Sequence, residues 1–148
     1  MNIKFTIDDK KAKEMFANAV KALNDSTVPL KETRTYQLSQ IKEAFNVAGK
    51  NIIGESWKKL SPNYLKSKIR SGFLTNILVR TGKLKSSFKS IELGKKTLKI
   101  SSNVPYFSYH QIGGSRVPRR QILGHSKAMI QKTLDIFAKF IHKKIKNG

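Results

Sequence analysis

The spacing of apolar residues changes along the chain, and each change marks an element. From Asn2 to Ile7, Ile3, Phe5 and Ile7 alternate with polar residues, the two-residue period of a strand with one buried face. Asp8-Asp9 then places carboxylates where a helix presents its positive end. Ala12, Phe16, Ala19 and Leu23 recur at helical spacing, with Met15 and Val20 beside them. Turn formers from Asn24 to Pro29 break this helix. A second helix begins near Glu32 or Thr33 and runs to about Gly54 on the stripe Leu38, Ile41, Phe45, Ala48 and Ile52. The two stripes bury against each other or against a sheet, with an oligomer face as the alternative.

After Trp57, Ser61 is a good helix N-cap and Pro62 sits at the first helical position, where its missing N–H costs nothing. That short helix turns Tyr64, Leu65 and Ile69 inward and Lys66, Lys68 and Arg70 outward, and Ser71-Gly72 ends it. Phe73–Arg80 is apolar without a period, which fits a buried extended segment or a helical turn equally. Thr81-Gly82 restarts the chain, and Leu84 and Phe88 lie four apart on a helical turn. Ile91 and Leu93, then Leu98 and Ile100, alternate with polar residues around Gly94-Lys95-Lys96, the pattern of an antiparallel hairpin. From about Ser126 to Lys146 a long helix carries Ile130, Leu134, Phe137, Ile141 and Ile145, widened by Met129, Ile136 and Phe140, opposite a row of lysines. Strands and helices do not alternate. The expected fold is α+β, residues 1–148 forming a single domain with a small antiparallel sheet, including the hairpin, packed by the N-terminal helices and the long C-terminal helix.

Between hairpin and last helix lies Tyr106–Gly124. Tyr106, Phe107 and Tyr109 offer apolar bodies with polar tips. Gly113-Gly114 allows a sharp turn, and Arg116, Arg119 and Arg120 cluster around Pro118. An aromatic knot followed by an arginine loop is a plausible contact surface.

Charge changes the picture most. Thirty Lys and Arg against nine Asp and Glu give +21, and the excess is uneven: residues 1–50 carry nine basic and six acidic residues, residues 51–148 twenty-one and three. Such an excess attracts polyanions, nucleic acid first among them. Twenty-four of the thirty cations are lysines, which suits non-specific phosphate contact better than base reading. Lys95, Lys96 and Lys99 crowd the tip and outer face of the hairpin, where they also discourage edge-to-edge aggregation.

Chemistry is constrained in turn. There is no cysteine, so disulfides and thiolate-held metals are excluded. His110, His125 and His142 show no metal-ligand spacing, and only Glu55, Glu92 and Asp135 lie in the basic part for acid–base or metal work. Glycine-rich phosphate loops and nucleophile elbows are absent. No apolar run reaches the roughly 18 residues of a membrane span, and the N-terminus lacks the apolar core of a signal peptide. The expectation is a protein that is not an enzyme, with no cofactor, no metal and no membrane partner.

The motifs in order carry a resemblance. They are Trp57 with Leu60-Ser61-Pro62-Asn63-Tyr64 and Lys68; Ile77-Leu78, Thr81-Gly82-Lys83-Leu84 and Ser87; then Pro105-Tyr106, His110-Gln111-Ile112-Gly113, Val117-Pro118-Arg119-Arg120 and Leu123-Gly124. The series resembles the virion morphogenesis (tail completion) family of tailed phages and prophages, the Mu-like G and P2-like S proteins, over roughly residues 35–140. It departs in the arginine loop, where family members commonly read Pro-Ala-Arg-Pro and this chain has Pro118-Arg119-Arg120-Gln121. The resemblance implies a structural virion protein at the head–tail junction, forming a ring, commonly a hexamer. Its partners would be copies of itself, neighbouring neck, connector or tail terminator and tube proteins, and non-specifically DNA in the lumen. It would reside in the virion, and in host cytoplasm before assembly. Tyr106, Tyr109, His110, Arg116, Arg119 and Arg120 are then candidate subunit-interface residues, and Lys95, Lys96, Lys99, Lys143 and Lys144 candidate DNA-facing ones. The alternative is a stand-alone basic protein that contacts nucleic-acid phosphates non-specifically.

Overall fold

A computed structural model describes residues 9–146. The strand expected at Asn2–Ile7 lies outside them. The first helix among the described residues, α1 (Asp9–Asn24), carries a Lys13–Asp9 ion pair near its N-terminal end. Its apolar stripe does not enter the core. Phe16 is 72% exposed, Met15, Val20 and Leu23 are exposed as well, and Ala22 alone is buried. Ala12 and Ala19 of the stripe are partly covered, and its larger side chains stay exposed among the described residues.

The second helix, α2 (Thr27–Ala44), begins five residues before Glu32. The Asp25 carboxylate accepts from the Thr27 backbone N–H at 3.1 Å and from its hydroxyl at 2.6 Å, which sets the first turn. Pro29 falls inside that turn, where no N–H is needed, so it does not break the helix. Nor does α2 continue to Gly54. It stops at Ala44, Ala48 and Gly49 take positive φ values of 51° and 80°, and a separate turn, α3 (Lys50–Ile53), follows. This reversal brings Trp57 back over Gly49, with the Trp57 N–H donating to the Ala48 carbonyl at 2.6 Å.

Helix α4 (Pro62–Arg70) has the expected cap, the Tyr64 N–H donating to Ser61 Oγ at 3.3 Å. Its faces are rotated from expectation. Tyr64 and Ile69 are exposed, whereas Lys68 is only 4% exposed. Phe73–Arg80 contains neither helix nor strand. Its carbonyls therefore need donors from elsewhere, and Lys68 Nζ donates to those of Asn76 at 2.8 Å and Val79 at 2.7 Å. Burial, and then the nearby Arg80, hold the Lys68 ammonium pKa below its ordinary value.

One turn, α5 (Lys83–Ser86), buries Leu84, and Phe88 opens the first strand rather than extending the turn. Strands β1 (Phe88–Leu93) and β2 (Leu98–Ser102) form the hairpin, pairing Leu93 with Leu98 and Phe88 with Ser102. The register slips between Ser90 and Glu92, and this bulge turns Ile91 out to 67% exposure. These are the sheet's two strands among the described residues, and they lie against α2. The aromatic knot is itself a short helix, α6 (Phe107–Ile112). The long last helix, α7 (Lys127–Lys146), packs on α1 and α2. Met129 and Ile136 form its buried centre, while Ile130 and Leu134 face out, so the inward stripe is centred on the residues expected only to widen it.

The core gathers Ile41, Ala44, Phe45, Ile52, Trp57, Val79, Leu84, Phe88, Val104, Ile122 and Met129. A relay of rings runs through it. Trp57 meets Phe45 edge-on at 5.7 Å, Phe45 tilts against Phe88 at 6.2 Å, and Phe88 meets Phe107 edge-on at 5.3 Å. Phe107 thereby fixes α6 to the body and determines where the following loop emerges.

Candidate functional site

Because Phe107 points inward, its neighbours on the short α6 point out. Tyr109 is 66% exposed, Tyr106 is exposed, and His110 stands edge-on to Tyr106 with ring centres 6.2 Å apart. The rest of the segment is held by hydrogen bonds that no periodicity announces. Gln111 acts as a substitute strand edge: its Oε1 accepts from the Ile122 and Leu123 N–H groups at 2.9 and 3.0 Å, and its Nε2 donates to the Leu123 carbonyl at 2.7 Å. The Arg120 N–H donates to the His110 carbonyl at 2.7 Å, and that of Gly114 to the Val117 carbonyl at 2.7 Å. Gly113 has φ +80°, and a Cβ there would lie 2.8 Å from the Arg119 nitrogen. The arginine loop is thus folded back on α6 over a glycine that nothing larger can replace.

Three arginines from this loop go to three different places. Arg116 is exposed and borders a groove. Arg119 is exposed, its guanidinium donating to Gln121 Oε1 at 2.7 Å. Arg120 is 7% exposed and spends its guanidinium inside the protomer, Nε donating to the Lys58 carbonyl at 3.0 Å and an Nη to that of Lys59 at 3.4 Å. Trp57 Nε1 donates to the Gln121 carbonyl at 2.8 Å alongside. Segments 57–59 and 120–121 therefore clasp each other. Arg120, expected among the interface residues, has its charge committed to this clasp. Sequence reading missed Lys68, Gln111 and the clasp alike. The one available signal was that 57–60 and 73–80 show no ladder pattern, so their carbonyls needed side-chain donors.

The groove occupies about 890 Å³ between α4, the segment 78–84 and the arginine loop. Lys58, Lys59, Arg80, Lys83 and Arg116 stand around it, and Leu60, Leu78, Leu84, Val117 and Pro118 supply its apolar lining. Tyr64, Tyr106 and His110 also line it. Burial, and then the charge of Arg120, push the His110 pKa below the ordinary imidazole value. The folded state therefore resists a proton that the unfolded chain accepts near about pH 6.5. Stability from this source is full above that pH and is lost as pH falls toward the folded value. Urea midpoints should drop from pH 7.5 to pH 5 in the wild type and drop less in His110→Gln. Parallel profiles would remove His110 as the cause.

The candidate DNA-facing lysines fall into two groups. The hairpin tip docks on the α1–α2 elbow, the Ser26 N–H donating to the Lys95 carbonyl at 2.8 Å and Lys96 Nζ to Asn24 Oδ1 at 3.2 Å. Lys143 and Lys144, from the end of α7, flank the same elbow together with Lys21. Bonds from Thr27, with smaller contributions from Lys95 and Lys144, lower the pKa of Asp25, the carboxylate at this place. Four lysines distant in sequence thus share one surface. Lys99 is apart from them, paired with Glu92 on the hairpin face.

Among the described residues no group of His, Asp and Glu is placed to hold a metal ion, and no helix is long and apolar enough to cross a membrane. The sequence profile of the phage virion morphogenesis family matches residues 7–142. The Mu-like prophage FluMu G protein 1 of Haemophilus influenzae (strain ATCC 51907 / DSM 11121 / KW20 / Rd) is 25% identical over 128 residues, which cover 86% of each chain. No solved structure matches.

Proposed function

Because the chain belongs to the phage virion morphogenesis family, we propose that it is a tail-completion or neck protein, a ring subunit at the head–tail junction that turns over no substrate. Membership itself gives a structural role in virion assembly. The finer reading is carried by one observation: a small α+β body presents exposed Tyr109 and Arg119 and the groove bordered by Tyr106 and Arg116 on its α6 side, and separately the lysine cluster at the α1–α2 elbow. In this reading the first meets an adjacent subunit or a neighbouring neck, connector or tail protein, since tyrosine and arginine favour interface cores. The second faces DNA in the lumen without reading its sequence. A sixfold ring is the subunit number proposed, and the virion the place, with host cytoplasm before assembly.

Purified particles of the phage or prophage encoding this chain should contain it in stoichiometric amount. Arg119→Glu should cut the yield of joined heads and tails by at least about tenfold, the loss of a hot-spot arginine, while the isolated protein unfolds as the wild type does. Particles that lack the protein and are joined normally would sink this reading. A second reading, a stand-alone nucleic-acid-binding protein, draws on the lysine cluster. It differs in demanding tight monomeric binding to duplex DNA that weakens steeply with salt.

A further inference from the structure

The groove between α4 and the arginine loop has an unusual combination of walls. Five cations stand around it, Lys58, Lys59, Arg80, Lys83 and Arg116, and no carboxylate lines it. Among the described residues the ion pairs are Lys13–Asp9 and Lys99–Glu92, so none of the five has a carboxylate partner. The two other cations lining the groove, Lys68 and Arg120, each already donate to two backbone carbonyls. Between them Leu60, Leu78, Leu84, Val117 and Pro118 give apolar lining, beside the polar Ser61, Thr81 and His110.

We propose that this groove is a docking site for an extended, acidic peptide segment of a partner protein, one that alternates carboxylates with apolar side chains. Carboxylates would answer the cations of the rim, and alternate side chains would fill the lining, as an extended chain places successive residues on opposite sides. A volume of about 890 Å³ holds several residues of such a chain. Duplex DNA fits it poorly: a convex rod offers phosphates to the rim and nothing to Leu60, Leu78 or Pro118. A second copy of this chain is also a poor occupant. Its nine acidic residues are scattered, with Asp8-Asp9 the one adjacent pair. The groove's occupant is therefore a different protein, and the exposed Tyr109 and Arg119, which do not line the groove, are left for an adjacent subunit. The site rests on the assembly role above only for where such a partner is met.

The test is fluorescence anisotropy on the isolated protein, with a labelled peptide alternating glutamate and leucine as the probe. Saturable one-to-one binding is expected. A glutamate–serine peptide of equal charge should bind at least about tenfold more weakly, because the apolar lining goes unused. Lys59→Glu with Lys83→Glu should weaken the glutamate–leucine peptide by at least about tenfold, whereas Lys143→Glu with Lys144→Glu, at the elbow, should change it by less than about threefold. Circular dichroism and the thermal midpoint report whether each variant folds, and Arg116→Glu, at an exposed position, serves if the first pair does not. Equal binding of the two peptides, or equal weakening by the two double variants, would overturn the proposal in favour of diffuse charge attraction. Duplex DNA that binds more tightly than the peptide and loses affinity in the groove variant would overturn it in favour of nucleic acid. The peptide assay needs no virion and the particle assay no peptide, so each reading can fail alone.

Discussion

Gly49→Ala is expected to lower the unfolding free energy by about 3–5 kcal/mol, read from the urea midpoint at constant slope. Three costs combine. Gly49 has φ +80°, a conformation that costs an L-residue roughly 1 kcal/mol. A Cβ at this place would lie 2.1 Å from Trp57 Nε1, and the contact is with the ring of a fully packed tryptophan rather than with the free end of a flexible chain. The ring must move, which strains its edge-on contact with Phe45 and the bond from its N–H to the Gln121 carbonyl. The comparison is Gly54→Ala. Gly54 has φ +81° but nothing within 4 Å of the added methyl, so it isolates the backbone cost at about 1 kcal/mol. Equal losses in the two variants would show that the Trp57 contact is not what makes Gly49 irreplaceable.

The second large effect separates neighbours that look alike in sequence. Arg120→Ala should cost about 2–3 kcal/mol, because charge-assisted bonds to the carbonyls of Lys58 and Lys59 vanish in a buried place. Arg119→Ala, at an exposed position, should stay within about 0.5 kcal/mol of the wild type. Arg120→Met distinguishes the two parts of the residue, keeping the apolar stem and removing the donors. If the methionine variant is as stable as the wild type, packing rather than hydrogen bonding holds the clasp. A further consequence is that reversing both arginines together cannot report on assembly, since one change acts on the fold.

The α+β class, the hairpin with its lysine-rich tip, the cap at Ser61 and the last helix were legible because each rests on a local period or a local bond. The family was legible too, from motifs spread over most of the chain. Faces were read less well. Lys68 looks like a solvent lysine because helical spacing cannot show that the carbonyls of Asn76 and Val79 will lie beneath it. Arg120 looks like Arg119 for the same reason. Phe16 and Val20 look like core because a stripe records apolar content and not the presence of something to cover it. The gathering of Lys95 and Lys96 with Lys143 and Lys144 depends on the hairpin tip meeting the elbow, a tertiary contact with no signature in sequence.

The ring relay and the clasp both leave the first helix out. No residue of α1 belongs to the core cluster, and its packing is chiefly against α7. A segment tied to the body mainly through one partner helix is expected to open at a free energy below that of global unfolding. The amides of α1 are therefore expected to exchange with solvent before those of α2, whose inner face the core cluster holds.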